Sequence, residues 1–474
     1  MRVLFIEPPK DYWFVMGEYL PPPFGILQLA AYLERALKDV EIEVVDCNTQ
    51  RLDWRGLEQR IGAIEPDIVA PSSLATCNAY LVVRTVQAAK QVNPDILTVA
   101  GGQHFTAMAQ ESLETYPELD VIVRGEGELT LTELVRNAGD RSSFPGILGM
   151  SFRHEGGISH NPPRPLIEDL NDLPYPGYHF VEDDVHKYHF AAMGGRDAPY
   201  ALVEGARGCL HRCTFCTQWP HWQGTRRLKT PERIADEMEH CYQRYDSRFI
   251  WLTDDDFGPG ERSSLLADEL LRRDMGDDLM WFAQLRCDDV VKNREALLKM
   301  RRSGLRWVMM GVESPRESTL RNYKKGIAAE DSRQAVRLLK ENDIFTHAMF
   351  MIGERKDTHE SIAQLREFAN ELDPDFAIFT ALTPFPGTEI HMEAKRNGWI
   401  EDHNWAHYDM AHAIMPTETL SRLEVQEELY RCYNSFYGSW RRRLQGVFSR
   451  NEMKRRIHWH MAGQGIVNQF RMLF

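Results

Sequence analysis

Gly205-Ala206-Arg207-Gly208-Cys209-Leu210-His211-Arg212-Cys213-Thr214-Phe215-Cys216 places three cysteines within eight residues. Three thiolates are one short of the four that normally close an iron–sulfur cluster or a structural zinc site. A metal centre with an open position can do chemistry, so the surroundings of this stretch decide how the chain is read. Just upstream, Tyr200–Glu204 reads as a short strand, and five similar runs follow at Phe249–Thr253, Met280–Leu285, Trp307–Gly311, Thr346–Ile352 and Phe376–Leu382. Helical patterns separate them. One opens with Thr230 as N-cap and Pro231 at the first helical position, then places Ile234, Met238, Cys241 and Tyr242 on one face. Six strand-then-helix units predict an open or partial (β/α)6 barrel over residues 198–395, with its chemistry in the loops at the C-terminal strand ends. The cysteine triplet follows the first of these strands.

Residues 1–150 alternate short apolar runs with amphipathic stretches, the pattern of βαβ units. Strands are predicted at Arg2–Ile6, Glu41–Val45, Asp67–Ala70, Leu97–Ala100 and Val121–Val123, and helices at Phe24–Leu37, Asp53–Ile64, Ala79–Gln91 and Leu129–Asn137. An unbroken apolar strand such as Val121-Ile122-Val123 suits a parallel sheet covered on both faces, giving an α/β, doubly wound (Rossmann-like) domain. Residues 151–197 are rich in Pro, Gly, His and acids, including Asn161-Pro162-Pro163-Arg164-Pro165, and read as a linker. The region 396–474 reads as mostly helical and carries many aromatics, among them Trp399, Trp405, Tyr408, Tyr430, Tyr433, Phe436, Tyr437 and Trp440. Its basic residues Arg441-Arg442-Arg443 and Lys454-Arg455-Arg456 are read as a solvated helix face.

A length of 474 residues suggests several domains, and 43% apolar with 27% charged residues is a globular composition. A formal charge of −14 argues against a nucleic-acid binder, because phosphate affinity comes from clustered Lys and Arg. No apolar run approaches the ~20 residues of a membrane span, and Glu7 comes too early for a signal peptide, so a cytoplasmic protein is expected. Cys47, Cys77, Cys241, Cys287 and Cys432 are scattered and read as buried thiols.

Structural zinc is the alternative for the triplet, with His211 or a distant residue as fourth ligand. Zinc sites usually pair two ligand knuckles, and no second pair stands at suitable spacing, so the spacing favours a cluster. With the aromatic Phe215 before Cys216, the motif Cys-x-x-x-Cys-x-aromatic-Cys resembles that of the radical S-adenosylmethionine (SAM) superfamily. The resemblance implies a [4Fe–4S] cluster on Cys209, Cys213 and Cys216, with SAM on the fourth iron and a 5′-deoxyadenosyl radical formed on reduction by a flavodoxin- or ferredoxin-type partner. Asp254-Asp255-Asp256-Phe257, Gln284-Leu285-Arg286 and Gly311-Val312-Glu313-Ser314 end the second, third and fourth strands, where members of the superfamily bind SAM. Beside Phe215, the expected SAM contacts are Asp254 or Asp255 for the ammonium, Arg286 for the carboxylate and Glu313 with Ser314 for the ribose.

Three N-terminal loops suit ligand binding at strand ends: Pro71-Ser72-Ser73-Leu74-Ala75-Thr76, Gly101-Gly102-Gln103-His104 and Gly125-Glu126-Gly127-Glu128. A dinucleotide fingerprint is absent, since Glu7-Pro8-Pro9-Lys10 stands where it would be. The arrangement resembles the cobalamin-binding domain that precedes the radical SAM domain in a large subfamily, including class B radical SAM methyltransferases and the anaerobic magnesium-protoporphyrin ester cyclases. It implies cobalamin contacts from Ser72, Ser73, Thr76, Gly101, Gly102, His104, Gly125, Glu126 and Gly127. The histidine-ligation motif Asp-x-His-x-x-Gly does not occur, so cobalamin without a histidine lower ligand is expected, its lower face met near Tyr12–Tyr19 or Ser72–Cys77.

The function these resemblances imply is methylation of an unactivated carbon through a 5′-deoxyadenosyl radical and methylcobalamin. The substrate would be a small molecule or a peptide, a peptidyl or protein carbon being one candidate. A radical cyclase or ring-rearranging enzyme of tetrapyrrole or natural-product biosynthesis is the alternative, and a non-catalytic corrinoid- or zinc-binding interaction protein is another. If the cofactor sites are separate, Cys213→Ala abolishes 5′-deoxyadenosine formation while cobalamin binding, followed by its visible absorption, is retained.

Overall fold

The computed structural model describes residues 1–10, 19–72, 75–154, 156–190, 199–273, 275, 278–439, 442, 446–448 and 454–459. Runs of Val, Ile, Leu and Phe in the N-terminal part form strands buried on both faces, as a parallel sheet under two helical layers requires. These are β1 (Arg2–Glu7), β3 (Glu41–Asp46), β4 (Ile68–Pro71), β5 (Leu97–Ala100) and β6 (Val121–Val123); β2 (Tyr19–Leu20) lies apart from them. β7 (Met150–His154) and β8 (Gly157–His160) add an antiparallel edge, giving the order β3-β1-β4-β5-β6-β7-β8. The chain goes from β1 to β3 on one side and returns to β4 on the other. The order therefore reverses at β1, and a crevice opens beyond the C-terminal ends of β1 and β4.

Residues 151–154 and 157–160, expected in the linker, belong instead to these two strands. Only Ser151 and Phe152 are buried after Met150, a pattern too short to separate from loop by periodicity, and it is held by Phe152 packing edge-on against Phe144 at 5.7 Å.

All six expected barrel strands form: β10 (Tyr200–Val203), β13 (Phe249–Leu252), β14 (Met280–Gln284), β15 (Leu305–Glu313), β16 (Phe345–Ile352) and β17 (Phe376–Ala381). They are parallel and neighbour one another in chain order, while β11 (Ala206–Gly208) pairs with β12 (Arg226–Leu228) as a separate ribbon. β10 and β17 do not meet, so the barrel has two open edges, and tyrosine hydroxyls cover both. Tyr178 accepts from Leu202 N (2.8 Å) and donates to Leu202 O (2.9 Å). On the other edge, Tyr433 and Tyr437 treat Phe379 and Ala377 of β17 in the same way. An exposed edge would invite pairing with another chain, and here three side chains block it.

Alternation along the strands divides the barrel residues. Ala201, Val203, Ile250, Leu252, Ala283, Val308 and Phe350 join the large core shared with the N-terminal domain. Tyr200, Phe249, Phe282, Trp307 and Phe345 take the opposite face and form an aromatic cluster with Phe190 and Ile457 inside the barrel. β9 (His189–Phe190) pairs with β2, and Tyr19 rests on Phe190 at 4.8 Å and on Trp251 at 6.0 Å, so this ribbon closes the barrel floor.

Among the described residues the C-terminal region holds the expected helices, over Arg422–Tyr437 and over 454–459. The first of these and a turn at Trp405–His407 are joined by irregular chain, because the aromatics there cover other elements instead of forming one helical stripe. No helix of the described residues is long and apolar enough to cross a membrane.

Asp46, at the end of β3, is fully buried, with Oδ1 accepting from Asn48 N at 2.9 Å and Oδ2 unpartnered. Burial, reinforced by nearby Glu7, pushes its pKa up to about 6. The folded state thus keeps a proton that the unfolded chain gives up near pH 4, and stability falls as pH rises from about 4 to 6. Asp46→Asn should gain on the native protein across that window and level off above it, by roughly 2 kcal/mol in urea unfolding.

Candidate functional site

The cysteine loop leaves β10 at Glu204 and returns through β12, so the β11–β12 ribbon pinches its base. Gly208 sits at φ +91, and a Cβ there would overlap the Thr225 carbonyl oxygen, which is why the strand can turn into Cys209 only as glycine. Farther along, Thr214 N donates to Tyr323 O (3.1 Å) and Ile390 N donates to Thr214 O (3.1 Å). Phe215 meets Tyr323 edge-on at 5.1 Å and packs with Met351, Leu382 and Ile390, anchoring the loop over the last two strands.

Cys209, Cys213 and Cys216 are partly exposed free thiols, and burial raises the pKa of each, that of Cys216 to about 12. Among the described residues, the metal-ligand groups that converge within 4.8 Å are Cys209, His211 and Asp256, not the three sulfurs. Zinc–sulfur bonds of about 2.3 Å would hold tetrahedral sulfurs about 3.8 Å apart, so the three sulfurs as placed do not themselves close a single-zinc site.

Strand ends gather the polar groups around these sulfurs. Asp255 lies near Cys209 and Cys216, and burial, followed by the charges of Asp254, Glu204 and Asp256, raises its pKa to about 7. Asp256 is buried, its Oδ2 3.5 Å from His211 Nε2 and its Oδ1 without a hydrogen-bond partner. Glu313, left-handed at φ +61, pairs with Lys325 at 2.7 Å, and both lie near Cys213. Burial works against the Lys325 ammonium, but Glu313 and the Cys213 sulfur outweigh it and raise its pKa. Arg286 donates from Nε to Asp288 (3.1 Å) and from Nη2 to Lys325 O (2.8 Å), also beside Cys213. Ser314 Oγ accepts from Arg316 N.

Asp254 is the exception among the expected SAM contacts. It is fully buried and accepts from Gly205 N (2.6 Å) and Ala206 N (2.9 Å), with Arg262 at 3.5 Å. Its oxygens hold the entrance of the cysteine loop, and two adjacent acids that look alike in sequence therefore differ in access.

Residues 16–135 match the B12 binding domain family, and residues 203–369 match the radical SAM superfamily. The anaerobic magnesium-protoporphyrin IX monomethyl ester cyclase of Rubrivivax gelatinosus is 31% identical, with 96% of this chain and 80% of that protein aligned. The chain belongs to the cobalamin-dependent radical SAM enzymes. An uncharacterized methyltransferase of Pyrococcus horikoshii is 29% identical over 92% of both chains. The structure of the radical SAM methyltransferase TsrM from Kitasatospora setae, with cobalamin and a [4Fe–4S] cluster bound, shares the fold at TM-score 0.70 and 19% identity, over 92% of this chain and 88% of that one. The cofactors of this cobalamin-dependent radical SAM enzyme are thus a [4Fe–4S] cluster, SAM and cobalamin.

Ser72 and Thr76 follow β4, and Gly101 and Gly102 follow β5, where a Cβ on Gly101 would press on Val123 O at 3.2 Å. Ser73 lies outside the described residues, as do residues 12–18. His104 is not a loop residue. It is buried in the short helix Gly102–Ala107 between Phe105 and Trp405, its Nδ1 without a partner, and burial lowers its pKa to about 4.

Glu126 departs furthest from expectation. Its carboxylate accepts from Arg207 (2.7 Å), from Arg227 (2.9 Å) and from Ile167 N (2.7 Å), so it faces the barrel domain and not the crevice. Gly125 N donates to Thr106 Oγ1, and Gly127 packs against Leu29, which ties this segment to its own domain while Glu126 reaches the barrel. Arg207 also reaches Glu128 (2.7 Å) and Glu204 (2.9 Å). Gln103 Oε1 accepts from Thr217 Oγ1 (2.7 Å), and its Nε2 donates to Gln218 Oε1 (3.1 Å). Sequence reading passed over Arg207, Arg227, Gln103 and Lys325. Arg207 stands inside the cysteine motif and Gln103 inside the Gly-Gly loop, yet their partners are distant in sequence.

At Gly311 a Cβ would overlap Glu313 Oε1 and crowd Lys325 Nζ. Gly311→Ala should therefore displace that pair and weaken SAM binding about tenfold or more in equilibrium dialysis, with iron content unchanged.

Proposed function

We propose that this enzyme is a C-methyltransferase acting on an unactivated carbon. The observation that carries the reading is that one buried ion-pair network joins the cobalamin domain to the cysteine loop, so both ligand sites belong to one rigid mouth. Named methyltransferases among the relatives support it, including the hopanoid C-3 methylase of Methylococcus capsulatus, 25% identical over 88% of this chain and 76% of that protein. When bound, the cofactors supply a one-electron cleavage of SAM and a transferable methyl group.

The residues take distinct parts. Cys209, Cys213 and Cys216 hold the cluster. Asp255 and Asp256 receive the SAM ammonium, Arg286 or Lys325 its carboxylate, and Glu313 its ribose hydroxyls. Ser72, Thr76, Gly101 and Gly102 line the cobalamin crevice. Cobalamin would be held there without a histidine ligand, a reading supported by the burial of His104 between two aromatic rings. Below the mouth, Trp251, Met309 and Met349 lie on the inward face of the barrel and keep partial exposure, while the described inward residues deeper down are apolar or aromatic apart from His347. This supports an apolar substrate portion reaching into the barrel, including the side of a peptide, with a flavodoxin- or ferredoxin-type reductant supplying the electron.

The 31% identity to a magnesium-protoporphyrin ester cyclase favours cyclisation as the second reading. Anaerobic turnover with SAM carrying a deuterated methyl group separates the two. Methylation produces S-adenosylhomocysteine and 5′-deoxyadenosine in equal amounts and a product bearing the labelled methyl; 5′-deoxyadenosine without S-adenosylhomocysteine would establish the cyclase reading instead.

A further inference from the structure

The cysteine loop is tied to the N-terminal domain at both ends. At the entrance, Arg207 is bound by Glu126 and Glu128 two residues before Cys209. At the exit, Thr217 and Gln218 are bound by Gln103 immediately after Cys216. The two ties differ in kind. The first joins charges withdrawn from water and fixes the docking of the domains, because losing one partner strands another charge. The second joins neutral, half-buried groups through hydrogen bonds worth about 1 kcal/mol each, an energy small enough to be tuned without undocking anything.

Gln103 directly follows Gly101 and Gly102, with Gly102 at φ +87, so a ligand lying over those glycines acts on the backbone that carries it. On the other side, Gln218 Oε1 also accepts from Trp222 Nε1 at 2.9 Å. Trp222 lies beneath Arg207 and Arg227, and its indole is also close to Asp255. A run of hydrogen bonds thus joins the Gly101–Gln103 segment of the N-terminal domain to Trp222 beyond the exit of the cysteine loop.

We propose that Gln103 is a positioning residue that couples occupancy of the cobalamin crevice to the geometry of the cysteine loop, so that cobalamin tightens SAM binding. Linkage makes the effect reciprocal, since SAM must then tighten cobalamin by the same factor. The proposal rests on the cofactors and holds whether the product is methylated or cyclised.

The test uses the full chain with its cluster reconstituted anaerobically. SAM affinity is measured by equilibrium dialysis with and without hydroxocobalamin, and amide exchange is followed across residues 205–228. In the native protein, hydroxocobalamin should tighten SAM about fivefold or more and slow exchange in the loop. Gln103→Ala and Thr217→Val should reduce the enhancement below about twofold and remove the added protection, while Thr217→Ser, which keeps the hydroxyl, restores both. Iron and cobalamin content should stay at the native level. An enhancement that survives in Gln103→Ala and Thr217→Val overturns the proposal. So does its absence from the native protein, and so does loss of iron or cobalamin from the two variants, which would make the contact merely structural.

Discussion

The buried guanidinium of Arg207 is the constraint on which the rest depends. It sits 5% exposed among Glu126, Glu128 and Glu204, two from the N-terminal domain and one from the end of β10. Burial disfavours its charge, yet the three carboxylates outweigh that and keep it protonated. Arg227 adds a second cation on Glu126 and lies across the β11–β12 ribbon from Arg207. Such a network contributes little net stability compared with apolar packing, but removing one member leaves uncompensated charge out of water. It therefore acts on specificity: it fixes one relative placement of the two domains and one path for the chain entering Cys209.

That placement explains features that each domain alone would leave without cause. The Gly125–Glu128 segment is shaped by what it docks. Gln103 reaches the far end of the same loop, so the N-terminal domain frames the cysteines on both sides. Asp254 completes the frame from within the barrel by holding Gly205 and Ala206. The barrel itself can stay open because Tyr178, Tyr433 and Tyr437 satisfy its edge strands, above an aromatic floor.

Much of the fold was legible in the sequence. The six barrel strands and the five parallel strands of the first sheet were readable because each is a continuous apolar run bounded by polar or turn residues, and that signal is local. The β7–β8 hairpin was not, since only Ser151 and Phe152 are buried after Met150. The role of the C-terminal aromatics resisted reading for a related reason: Tyr433 and Tyr437 serve a strand more than fifty residues away, and helical periodicity carries no trace of that duty.

By itself, the sequence determined the chemistry at hand: three thiols at a spacing that suits a cluster, and six strands to carry them. Spacing within a short loop and burial along a short strand are properties of neighbouring residues, so they survive without coordinates. Only the tertiary structure decided which acid does what. Asp254 and Asp255 are adjacent, yet one is buried and held by backbone amides while the other stays partly exposed near the cysteines. Glu126 reads as a ligand contact and proves to be a domain anchor, because its partner Arg207 lies 81 residues away. A carboxylate's role follows from the dielectric and the donors around it, and those are supplied by parts of the chain that meet only once it is folded.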